Sequence, residues 1–152
     1  LFATVVHAQQ PVAPKPKPKA YTDPAQTDDD FAIQGEYVGE IDSKTYGVQI
    51  WAQGGGKFEA VSHLGGLPGA GWDRDRSTIT RVTGARAAGE KTASFTSPDG
   101  TIKAEVNGAS ILVNNADGVK IMELNRTNRE SPTLGAPPPE NAVVLGFWWW
   151  EG

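Results

Sequence analysis

FAIQGEYVGEIDSKTYGVQIWAQGGGKFEAVSHLGGLPGAGWDRDR, residues 31–76, decides how the chain is read. It holds three strand-like runs and then a glycine-rich loop. In Ile33 to Ile41, Tyr37 and Ile41 share one face, with Glu36 and Glu40 on the other. Gly47 to Gln53 sets Val48, Ile50 and Ala52 against Gln49, Trp51 and Gln53, and Lys57 to Leu64 turns Phe58 and Ala60 inward. Alternation with a period of two marks strands with one buried face. Gly54-Gly55-Gly56 between two such runs predicts a hairpin.

Downstream the same grammar repeats. Ser77 to Val82, Lys91 to Ser97, Thr101 to Val106, Ser110 to Asn114 and Val119 to Leu124 read as five further strands. Pro98-Asp99-Gly100 is a turn, because proline presets one backbone angle and glycine accepts a positive one. Asn107-Gly108 is the strongest hairpin signal in the chain. No segment reads as a helix. The fold class expected is all-β: about eight antiparallel strands in a meander, closing as a small barrel or packing as a barrel-like sandwich.

Composition agrees. The 152 residues include 18 Gly and 11 Pro with 38% hydrophobic residues, a breaker content that favours turn-dense β structure in one domain. A net charge of −4 offers no basic footprint for nucleic acid. The absence of cysteine excludes disulfides, thiolate metal sites and a catalytic thiol. No run reaches the roughly 20 apolar residues of a membrane helix.

Outside the strands the chain changes character. Residues 1–8, LFATVVHA, read as the remnant of a signal peptide, which implies an exported, periplasmic or extracellular protein. Residues 9–30 read as a tether. Alternating Lys-Pro imposes a solvated, extended spacer with no helix or central strand, and a disordered tail is expected there. Its end, Asp28-Asp29-Asp30, lacks the spacing of a calcium loop and reads as a solvated lead-in. The β domain spans 31–127, a Pro-rich linker follows over 128–141, and 142–152 (AVVLGFWWWEG) reads as the truncated start of another domain.

With these segments laid out, the chain resembles the N-terminal β domain of exported bacterial proteins that carry a 3-keto-disaccharide hydrolase domain of concanavalin-like jelly-roll type. FAIQGEYVGEI (31–41), GVQIWAQGGGKFEAV (47–61), GGLPGAGWD (65–73) and SPTLGAPPPENAVVL (131–145) carry the likeness, about a third of the chain, in the family's order. The resemblance implies a glycoside hydrolase domain downstream, of which this chain holds at most the opening strand. None of that domain's active-site residues transfers here.

Two sets of candidate site residues remain. Asp73 and Asp75, with His63, are a compact acid–base set, since paired carboxylates at the right separation cleave glycosidic bonds. Arg74 and Arg76 beside them favour ionised carboxylates, which suits a surface loop better than an acid catalyst. Trp51 and Trp72, with Gln49 and Gln53, suit sugar binding, because an indole face matches the apolar face of a pyranose ring. No cofactor and no metal site is expected. The favoured reading is a non-catalytic accessory or spacer domain of an exported carbohydrate-active protein, with carbohydrate and a C-terminal jelly roll as partners. The alternatives are a small glycoside-processing hydrolase using Asp73, Asp75 and His63, and an envelope structural module.

Overall fold

The computed structural model describes residues 23–128; the signal-like segment, most of the tether and residues 129–152 lie outside the described residues. Eight strands succeed one another: β1 (Gly35–Ile41), β2 (Lys44–Gly54), β3 (Lys57–Leu64), β4 (Thr80–Ala85), β5 (Ala93–Thr96), β6 (Ile102–Val106), β7 (Ser110–Asn115) and β8 (Lys120–Thr127). Each pairs antiparallel with the next, and β8 pairs with β1 through Glu36↔Thr127, Tyr37↔Arg126, Val38↔Asn125 and Gly39↔Leu124. The sheet is a closed barrel. Closure recruits Asn125–Thr127 into β8, beyond the Leu124 end expected of the last strand, because Glu36 to Gly39 would otherwise present an unpaired edge.

Register places the apolar set inside. Ala52, Phe58, Gly84, Phe95, Ala104, Val113 and Met122 succeed one another across β2 to β8. Phe58 and Phe95 meet with ring centroids 6.3 Å apart and planes tilted by 53°, a geometry that suits aromatic quadrupoles. Gly84 makes room for them: a Cβ there would lie 2.4 Å from Phe95 Cδ1. Side chains fill the interior, as in other barrels of eight strands.

Ile33 departs from the strand expected over Ile33 to Ile41, and residues 30–33 from the expected absence of helix. Asp30–Ile33 form a single helical turn, α1, and Ile33, fully buried, joins the core. So short a helix has no stability of its own, and tertiary bonds hold it. Tyr37 Oη donates to Ile33 O at 2.7 Å. The Arg126 guanidinium donates to Ala32 O and Gly108 O at 2.8 Å and to Gln34 O at 2.6 Å.

Asp30 also differs from the solvated lead-in expected of the acidic triplet. Asp28 and Asp29 are exposed, but Asp30 is 2% exposed. Its carboxylate accepts from Gly56 N (2.8 Å), Arg86 Nε (3.0 Å) and Arg86 Nη2 (2.7 Å). A buried charge persists only when paired and hydrogen-bonded, as here. Three segments distant in sequence are thereby tied together: α1, the β2–β3 turn and the end of β4.

Candidate functional site

The segment between β3 and β4, residues 65–79, folds back over the outer surface of β2 and β3. Gly65 N donates to Thr45 O at 2.8 Å, and Leu67 and Ala70 exchange backbone bonds of 3.0 and 2.8 Å. The crossing runs directly over Gly47, where a Cβ would lie 2.5 Å from Gly66 C and 2.6 Å from Leu67 N. Only glycine lets the two backbones approach this closely. Leu67, 1% exposed, is the anchor.

Strand alternation turns Val61 and His63 outward on β3, yet both are only 4% exposed, because this segment covers them. Trp72 stacks on His63 with centroids 4.7 Å apart and planes tilted by 51°. Both ring nitrogens of His63 are buried without a hydrogen-bond partner. Burial, and secondarily the charge of Arg81, pushes the His63 pKa below its ordinary value, so the imidazole stays neutral near pH 7.

An open groove of about 1060 Å³ runs over this surface. Trp51, Gln49, His63 and Trp72 line it, with Glu36, Arg74, Arg81 and Arg126 as its charged members. Gln49 and Glu36 sit opposite each other on β2 and β1, and Gln49 Nε2 donates to Glu36 Oε1 at 2.8 Å. Arg81 of β4 reaches Glu59 at 3.4 Å. Trp51 and Trp72 are both half-buried, each leaving indole surface to the groove.

The sequence candidates therefore separate. Trp51, Trp72, Gln49 and His63 share the groove, while Gln53 lies outside its lining and donates to Glu59 Oε2 at 3.1 Å. Asp73 and Asp75 are exposed and are not lining residues. Asp73 Oδ1 accepts from Asp75 N at 2.9 Å across Arg74, whose φ of 69° makes the turn. Asp75 Oδ1 accepts from Ser77 Oγ (2.7 Å) and Ser77 N (2.9 Å), which holds its pKa below the usual carboxylate value. Both carboxylates shape the loop. Glu36 is the sole carboxylate lining the groove among the described residues, so no facing acid–base pair is assembled there.

Arg81, Arg126 and Glu36 are lining residues that strand periodicity alone does not single out. Finding them requires the register: Val61↔Arg81 places Arg81 beside the outward side of β3, and Tyr37↔Arg126 belongs to barrel closure. Among the described residues no three His, Asp or Glu side chains converge to hold a metal ion, and no helix is long and apolar enough to cross a membrane. Compared with known proteins, the chain matches no family model, and neither a curated protein nor a solved structure shows significant similarity to it.

Proposed function

We propose that the chain is a non-catalytic accessory domain of an exported carbohydrate-active protein, and that it meets glycan in the groove between β2 and the 65–79 segment. One observation carries this reading: Trp51 and Trp72, from different elements, leave indole surface in the same open groove beside Gln49, Glu36 and Arg81. Flat apolar faces flanked by a few hydrogen-bonding groups are what a pyranose ring requires of a site. The carbohydrate-active context comes from the sequence resemblance at 31–41, 47–61, 65–73 and 131–145.

Affinity electrophoresis through gels cast with plant and bacterial polysaccharides tests it. Trp51→Ala and Trp72→Ala should each weaken retention about tenfold, by the loss of one stacking surface. Retention left unchanged in the double variant removes the groove from glycan binding.

A further inference from the structure

We propose that the groove selects glycans bearing carboxylates, polyuronates, over neutral glycans; this deepens the glycan reading above and rests on it. The whole chain carries a net charge of −4, yet the groove's charged lining is Arg74, Arg81 and Arg126 against Glu36 alone. A positive site on an acidic protein is a local arrangement that its overall composition does not explain.

Each arginine is placed to contribute. Arg126 donates to Ala32 O, Gln34 O, Gly108 O and, at 3.3 Å, Tyr37 Oη, all neutral oxygens. These bonds hold the guanidinium in place without neutralising it. Arg74 is exposed on the loop rim. Arg81 is 49% exposed, and among its contacts the ion pair with Glu59 is long at 3.4 Å. A solvent-exposed pair of that kind contributes little, so a well-aligned ligand carboxylate competes with it. Glu36, the opposing charge, has one carboxylate oxygen engaged by Gln49.

A uronate supplies both halves of the recognition. Its pyranose face stacks on an indole, while its carboxylate accepts paired hydrogen bonds from a guanidinium. His63, buried beneath Trp72, backs the indole that offers this stacking face. A neutral glycan gains the stacking but no charge-assisted contact.

The test compares retention of the full chain on polygalacturonate, on its fully methyl-esterified form and on neutral xyloglucan. Polygalacturonate should be retained at least about tenfold more strongly than the ester, and roughly tenfold higher ionic strength should erase most of the difference. Arg74→Gln and Arg81→Gln should each weaken polygalacturonate retention by about 3- to 10-fold, the loss of one charge-assisted contact. Lys120→Gln, at the exposed start of β8 and outside the groove lining, should change nothing. Equal or stronger retention on the ester or on xyloglucan overturns the polyuronate assignment and leaves glycan binding by stacking intact. A Lys120→Gln loss as large as that of Arg81→Gln also overturns it, since the attraction would then be diffuse. No retention on any polysaccharide removes the glycan reading with it.

Discussion

Gly47→Ala isolates the crossing that builds the groove. Gly47 lies within β2 at ordinary strand angles, so alanine is conformationally allowed there and gains about 0.5–1 kcal/mol over glycine. The new Cβ, however, meets Gly66 C at 2.5 Å, Leu67 N at 2.6 Å and Gly66 O at 2.7 Å, where ordinary contacts begin at 3.4 Å. The 65–79 backbone must move by about 0.9 Å, and overpacking of this kind costs about 1–3 kcal/mol. Full release of the loop would expose Leu67, Val61 and His63 together, which costs more than the shift, so the loop is expected to shift rather than detach. The net loss is about 1–2 kcal/mol, or roughly 5–15 °C in melting temperature for a domain of this size. Urea titration measures the global term. The local term is read at His63 by NMR. Lifting the loop removes the burial that depresses the His63 pKa, so its titration should move up toward 6.5. A variant with native stability and a native His63 titration would mean that the loop does not rest on Gly47, and that something else holds the groove open.

Other consequences are independent of that crossing. His63 has a folded pKa below its unfolded value, so the unfolded chain takes up a proton that the folded one refuses; stability should fall as pH drops below about 6.5, and His63→Leu should flatten that slope in denaturation curves between pH 5 and 7. Tyr37→Phe removes a buried hydroxyl that donates to Ile33 O and should cost about 1–3 kcal/mol by urea titration, with a loss below about 0.5 kcal/mol contradicting the bond. Arg86→Ala leaves Asp30 buried without its partner and should lower the melting temperature by roughly 10 °C or more, whereas Lys91→Ala, which removes an exposed contact to Asp29, should shift it by about 2 °C or less. Equal shifts for the two variants would show that Asp30 is not sealed.

Strands and turns are legible in the sequence because their signals are local. Asn107-Gly108, Pro98-Asp99-Gly100 and Gly54-Gly55-Gly56 each sit where one strand returns on the next, and the inward positions Tyr37, Ile50, Phe58 and Ala60 follow from alternation alone. What the sequence leaves open depends on distant partners. Barrel closure is decided by the pairing of Glu36 with Thr127, which no short pattern encodes. Ile33 continues an apolar run that resembles the start of a strand, yet a helical turn there fills the barrel end and ties Asp30 to Arg86. His63 and Val61 occupy outward positions that alternation assigns to solvent, and only the glycine-rich segment lying on them explains their burial. The groove is half legible: Trp51 and Trp72 stand out by residue type, whereas Arg81, Arg126 and Glu36 emerge only with the register.

The ladder between β1 and β8 also sets how the domain answers tension. Glu36 and Thr127 are paired neighbours, so force applied at Gly35 and Asn128 acts at the same end of two antiparallel strands. Such a load opens the rungs one at a time, as a zip, rather than straining them all together. Arg126, fastened to Ala32 O and Gln34 O on one side and to Gly108 O on the other, is the clasp at the top of that zip. Inserted in a longer chain, the barrel adds about one strand spacing, roughly 5 Å, to the path between its flanks. It hangs beside the line of pull as a bead on a short loop and yields first at Arg126.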